Sequence, residues 1–198
     1  MNGEDYDKIV KKAFEIAIDT HESIGKLIKS CKNLCKKSDS KYEHWKKKSD
    51  FIYWFQPTEP RSWSTWLITS FFKRKDDATK DSVYVMEIDL VYQRVPRIAI
   101  ARFIYPYKVD YDEILNRKLD NDLALYDIYN WPLDNKDDKY LHEKINGFTK
   151  ITMPNDSKYN KFGASHAWFV EIPLSEINAG NVQEKIFGTF DKLVELKS

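Results

Sequence analysis

The sequence predicts an α+β fold in which a largely antiparallel sheet of about five or six strands is flanked by a long N-terminal helix and a C-terminal helix. Residues 82–93 and 97–107 are rich in β-branched and aromatic side chains and are separated by a short Arg-Val-Pro turn, which is typical of a hairpin. Residues 4–37 carry apolar side chains at spacings of three and four residues, which is typical of an amphipathic helix. Because 198 residues can build one good-sized core and no interdomain linker is evident, we expect a single domain over residues 1–198.

The N-terminal helix is predicted from one apolar stripe. Its members recur every three or four residues: Val10, Phe14, Ala17, His21, Ile24, Ile28, Cys31 and Cys35. Gly25 interrupts the pattern and is a natural place for a bend. The second helix is predicted over residues 182–196, where the spacing of Asn181 and Glu184 resembles a capping box.

The sheet is predicted from six apolar runs. Residues 51–56, 62–73, 82–93 and 97–107 form a central meander within residues 50–107, and residues 147–153 and 166–172 add two strands. Turn positions predict that Leu67 and Phe71 share a core face with Met86 and Ile88. Glu87 and Asp89 are then predicted on the other face, and a register slip of one residue would reverse this assignment.

Composition excludes several classes of protein. The net charge is +1, which gives no overall attraction to nucleic acid or membranes. Since no apolar run approaches the roughly 20 residues that span a bilayer, and the N-terminus lacks a signal-peptide pattern, we expect a cytoplasmic protein without membrane association. The two cysteines, Cys31 and Cys35, are expected in the core. Abundant Lys, Asn, Ile and Tyr with only six glycines is typical of an AT-rich bacterial or phage genome.

A basic segment covers residues 26–48, with nine lysines and two acids. Its aromatic and basic end predicts a site for nucleic acid or another partner, with phosphate contacts from lysine and stacking from the rings. The residues are Tyr42, Trp45, Lys46, Lys47 and Lys48. The alternative interpretation is a solvated helix end and connector.

An acidic segment covers residues 109–138, with nine acids. It is complementary in charge to residues 26–48, within one chain or across a dimer. A two-fold axis would bring each segment against its opposite twice, so the sequence predicts a homodimer. The long stripe of the first helix offers a second contact, because the helix is longer than a small sheet can cover.

The strand acids Glu87 and Asp89 are the most informative polar pair. Alternate residues of a strand project to one side, so these carboxylates can line a groove or pair with a buried basic side chain. Together with Trp66 and Tyr105 they are the predicted ligand-binding residues. The alternative is a Mg²⁺ or Mn²⁺ site completed by Glu171. The lysine that restriction-type nucleases place two residues beyond a strand acid is missing.

Catalytic motifs do not occur in the sequence. Glycine-rich phosphate loops, the G-x-S-x-G elbow and HExxH are all missing. The sequence therefore favours a non-enzymatic binding protein of the accessory, regulatory or inhibitory type, without a cofactor, whose partner is a protein, a nucleic acid or a nucleotide. The alternative function is a metal-dependent phosphodiester hydrolase that uses Glu87, Asp89 and Glu171.

Overall fold

The structure is a computed structural model. It describes residues 3–45, 51–52, 67–77, 80–90, 95–111, 132–133, 140–158 and 160–196. Its elements confirm the predicted α+β class, with a sheet that has more strands than expected. They are α1 (Gly3–Cys35), β1 (Tyr42–His44), β2 (Phe51–Ile52), β3 (Leu67–Arg74), β4 (Ser82–Asp89), β5 (Arg97–Ile104), β6 (Leu141–Ile145), β7 (Phe148–Thr152), β8 (His166–Pro173), a 3₁₀ turn (Leu174–Glu176), a π-helical turn (Gln183–Phe187) and α2 (Gly188–Glu195).

One antiparallel sheet contains all eight of these strands. Its order is β1-β3-β4-β5-β8-β7-β6, and the short β2 also pairs with β3. The meander β2-β3-β4-β5 was predicted, as were β7 and β8. The short edge strands β1 and β6 were not predicted.

Both faces of the sheet are covered. On one face the helices bury Ile68, Phe72, Met86 and Ile88 against residues such as Phe190. On the other face a second apolar cluster contains the following buried residues: Trp45, Phe71, Val85, Ala99, Ala101, Phe103, Tyr105, Leu133 and Tyr140. The sheet is therefore the middle layer of the part of the chain that the structure describes.

The predicted face of β3 was wrong by one residue. Phe71 pairs with Val85 and Phe72 with Tyr84, so Phe71 shares the face of Glu87 rather than that of Met86. Since β3 has large apolar side chains on both sides, its sequence does not show which side faces the helices. The face predicted for β4 is confirmed, because Met86 and Ile88 lie in the helix-covered core.

The helix α1 is continuous through Gly25 and 33 residues long. At 1.5 Å per residue it spans about 50 Å, whereas a strand of eight residues, such as β4, spans about 27 Å. Its predicted stripe was displaced around the helix, because Leu27 is buried and Phe14 is exposed. Within the described residues, no helix combines the length and the apolar character that crossing a membrane requires.

Candidate functional site

The predicted acidic pair forms part of a charged cluster within the sheet. Asp89 is directly across from Arg97 on β5, while Glu87 is across from Ala99, which in turn is across from Glu171 on β8. Because Ala99 is small, the Arg97 side chain can extend along this face of the sheet. Its Nε lies 3.7 Å from Asp89 Oδ2 and its Nη2 lies 4.0 Å from Glu87 Oε1, and Nη1 contacts Glu171 Oε1.

Burial determines the chemistry of this cluster. Glu87 and Asp89 have no solvent exposure, and the side chain of Arg97 is 7% exposed, whereas that of Glu171 is 47% exposed. Burying a carboxylate in a sheet is costly unless a cation lies beside it. Arg97 supplies that cation, so the arrangement is the buried ion pair that the sequence left open as one interpretation.

The alternative metal site at Glu87, Asp89 and Glu171 is not formed. Nowhere in the described residues do three or more His, Cys, Asp or Glu side chains converge as metal ligands. The guanidinium of Arg97 lies among these three carboxylates, where a cation would have to bind.

The other predicted site residues fall into two groups. Trp66, Lys46, Lys47 and Lys48 lie outside the residues that the structure describes, as does most of the acidic segment 109–138, so these predictions stay predictions. The second group comprises Tyr42, Trp45 and Tyr105, which are 2%, 6% and 3% exposed. Their rings pack inside the molecule, and this placement does not support stacking on a base.

Tyr42 connects the first and last parts of the chain. Its ring packs on Tyr84, Phe187 and Phe190, and its hydroxyl donates a hydrogen bond to Asp191 Oδ1 at 3.0 Å. Burial, with smaller contributions from Tyr84 and Asp191, raises the pKa of Tyr42. Burial likewise raises the pKa of Tyr84 to about 12. These phenols stay protonated and act as structural groups.

The N-terminal half of α1 projects beyond the sheet. We call residues 5–23 the projecting half, and none of them is buried, whereas Ile24, Leu27, Cys31 and Cys35 are. The buried stripe continues without a break through the projecting half at the same spacing. Its continuation consists of the exposed residues Tyr6, Ile9, Ala13 and Ile16 and the half-buried Thr20.

Large apolar side chains are unusually exposed in this half. Tyr6, Ile9 and Ile16 on the stripe are 58%, 56% and 58% exposed, and Phe14 and Ile18 on other sides of the helix are similarly exposed. Scattered apolar residues on a surface are ordinary, but a contiguous stripe marks an interaction site. The apolar stripe is therefore packed against the protein in the C-terminal half of α1 and uncovered in the N-terminal half.

A groove lies where the projecting half meets the rest of the molecule. It has a volume of about 630 Å³ and runs between α1 and residues 174–180. Ile16, Ile24 and Leu27 form one wall, and Leu174, Ile177 and Ala179 form the other. The groove is mostly apolar, and its polar lining residues are Asp19, Thr20, Ser23, Lys26 and Asn178.

Side-chain hydrogen bonds fix the wall opposite α1. The Asn181 amide donates to the Glu176 carbonyl at 2.9 Å and accepts from the Asn178 backbone N–H at 2.9 Å. Asn178 Oδ1 accepts from the Gly180 N–H at 2.8 Å. These hydrogen bonds of Asn181 therefore hold the wall in place. The predicted capping box was wrong, since the helical turn that follows Asn181 has no side-chain cap. A wall held this way gives the groove a defined shape.

The sequence contained signals for both features that were missed. Ile9, Ala13 and Ile16 have helical spacing, but Val10, Phe14 and Ala17 have it too, so the sequence does not show which row continues the buried stripe. Arg97 is the first residue of β5 and pairs with Asp89 of β4. The correct register of these two strands would have identified Arg97 as the basic partner of Asp89. The wall at residues 174–180 had no sequence signal, because it depends on hydrogen bonds between asparagines and the backbone.

No family model, curated protein or solved structure matches this chain.

Proposed function

We propose that this chain is a non-enzymatic binding protein that recognises an amphipathic helix of a protein partner. The recognition surface comprises the exposed stripe of α1 and the groove beside residues 174–180. The observation that carries the proposal is the exposure of Ile16 at 58% on the same stripe that buries Ile24 at 3%.

The chemistry of the surface supports a helical protein partner. Helix-in-groove recognition uses apolar anchors at spacings of three and four residues, and the stripe presents Tyr6, Ile9, Ala13 and Ile16 at these spacings. Aromatic and aliphatic side chains are the usual anchors of protein interfaces. A nucleic-acid partner is less well supported, because the aromatic residues predicted to stack on bases, Tyr42 and Trp45, are buried.

The charged cluster supports a non-enzymatic function. Glu87 and Asp89 are fully buried beside Arg97, so they have no surface on which to receive a substrate. In this position the two carboxylates stabilise and orient the strands. We also propose, as the sequence predicts, that the protein is cytoplasmic and of bacterial or phage origin.

Selection of helical peptides from a displayed library tests the proposal. Immobilised wild-type protein should enrich amphipathic sequences, and the Ile9→Asp/Ile16→Asp variant should not, since it places two charges on the stripe. Ile18→Asp is the matched control, because Ile18 is equally exposed, at 57%, but lies on the opposite side of α1. Enrichment that is equal for all three proteins would refute the proposed surface.

Nucleic-acid binding is the competing outcome. Gel shifts at low salt that depend on Lys46, Lys47 and Lys48, and that weaken steeply with added salt, would favour that class of partner instead.

A further inference from the structure

We infer that the helix which occupies the stripe and groove is α1 of a second copy of this chain, packed antiparallel. This inference rests on the proposed function, since it names the partner of the same surface. It depends on three features of α1: the stripe, the charges along one side of it, and the position of the groove.

The charges beside the stripe alternate in sign. Asp5, Lys12, Asp19 and Lys26 follow one another at intervals of seven residues, so all four lie along one side of the stripe, and all are exposed. On the other side of the stripe the corresponding positions are Val10 and Ala17, which are apolar and half-buried. One edge of the stripe is therefore charged and the other is not.

This asymmetry selects the antiparallel orientation. In an antiparallel helix pair each edge faces the same edge of the partner, whereas in a parallel pair it faces the opposite edge. A parallel pair would set charged Lys12 and Asp19 against apolar side chains of the other copy. An antiparallel pair sets charge against charge along one edge and Val10 against the partner's Ala17 along the other.

The alternation of charge also selects one register. With Lys12 opposite the partner's Asp19, Asp5 faces the partner's Lys26, and every contact along the charged edge joins opposite charges. A shift by one helical repeat sets Lys12 against the partner's Lys12 and Asp5 against the partner's Asp19, which are like charges. Opposite charges at such positions determine partner and orientation in helix pairs, and like charges oppose pairing.

The selected register agrees with the groove. It sets Ala13 beside the partner's Ile16 and Ile9 beside the partner's Thr20, so a small side chain meets a larger one in each layer. The partner's Tyr6 then falls beside Ser23, which lines the groove between α1 and residues 174–180. The aromatic end of one helix would thereby fill the groove of the other copy, and the two-fold axis repeats this contact.

Analytical ultracentrifugation of charge-swap variants at low salt tests the inference. The wild type should sediment as a dimer, with twice the 23.5 kDa mass of one chain. Lys12→Asp and Asp19→Lys should each weaken the dimer by about tenfold, because each places like charges together at two symmetric contacts. The double variant Lys12→Asp/Asp19→Lys should regain most of the affinity, since it restores opposite charges.

Lys11→Asp is the matched control. It makes the same change of charge on the side of α1 opposite to the stripe, where Lys11 lies 3.9 Å from Glu15, so it should leave the dimer intact. A wild type that is monomeric at all accessible concentrations, or a double variant no tighter than the single ones, would overturn the inference. A monomer that still enriches amphipathic peptides through Ile9 and Ile16 would overturn the second copy alone and leave the proposed function standing.

Discussion

Ile16 and Ile24 lie on one stripe of α1, two turns apart, yet Ile16 is 58% exposed and Ile24 is 3% exposed. Both residues line the groove between α1 and residues 174–180. The change from buried to exposed on an uninterrupted stripe is the basis of the proposed binding surface.

The same two residues give a matched test of the packing. Ile24→Ala should lower the free energy of unfolding by about 2–5 kcal/mol, since it removes buried methyl groups and leaves a cavity. In dilute monomer Ile16→Ala should change it by less than about 0.5 kcal/mol. Urea denaturation followed by tryptophan fluorescence measures both. Equal losses for the two variants would show that Ile16 is packed within the monomer.

Arg97 is predicted to be essential for stability. Arg97→Leu leaves two fully buried carboxylates, Glu87 and Asp89, without the neighbouring cation, which should cost about 3–5 kcal/mol of unfolding free energy. Glu171→Gln is the control, because the Glu171 side chain is 47% exposed and its ion pair is worth about 1 kcal/mol or less.

A rescue separates charge from packing in this cluster. Adding Glu87→Gln and Asp89→Asn to Arg97→Leu should recover part of the loss, since neutral amides are less costly to bury than carboxylates. If Arg97→Leu were as stable as the wild type, the guanidinium would not be compensating the buried acids.

The thiol of Cys35 is predicted to be unreactive in the folded protein. Burial raises its pKa from 9.0 to about 11, with a smaller opposing effect from Lys75. At pH 8 its thiolate fraction falls about a hundredfold, so alkylation should slow by about that factor or more relative to the urea-unfolded chain. Mass spectrometry after iodoacetamide treatment measures the rate. Rapid labelling of Cys35 under native conditions would contradict its placement.

The same pKa shift makes stability depend on pH. The folded protein holds the Cys35 proton more tightly than the unfolded chain does. The stability that this thiol contributes should therefore be lost as the pH rises from about 9 to about 11, with no further loss from Cys35 at higher pH. Tyr84, with its pKa raised to about 12, acts in the same direction at slightly higher pH. Thermal unfolding of Cys35→Ala beside the wild type isolates the contribution of the thiol.

Much of the sheet could be predicted because the sequences of β4 and β5 are rich in β-branched and aromatic residues and stand on either side of an Arg-Val-Pro sequence. The face of β3 could not, because Ile68, Phe71 and Phe72 give it apolar side chains on both sides of a sheet that is covered on both faces. An alternation of polar and apolar residues fixes register only where one face is exposed.

The candidate site was predicted in part. The sequence placed Glu87 and Asp89 side by side and allowed a buried basic partner, but it did not identify Arg97. It also predicted that α1 is too long for the sheet to cover. It did not predict which stripe continues past the sheet or that residues 174–180 form a groove, since both depend on packing between segments distant in sequence.

Hydrogen exchange of the amides in residues 5–23 tests most directly whether the projecting half of α1 is a recognition surface. An uncovered helix of this length is marginally stable in water, so its amides should exchange quickly unless a partner covers the stripe. We expect slow exchange in concentrated wild-type protein, faster exchange on dilution, and fast exchange at all concentrations in Ile9→Asp/Ile16→Asp. Fast exchange in the wild type that does not change with protein concentration or with a bound amphipathic peptide would contradict this expectation.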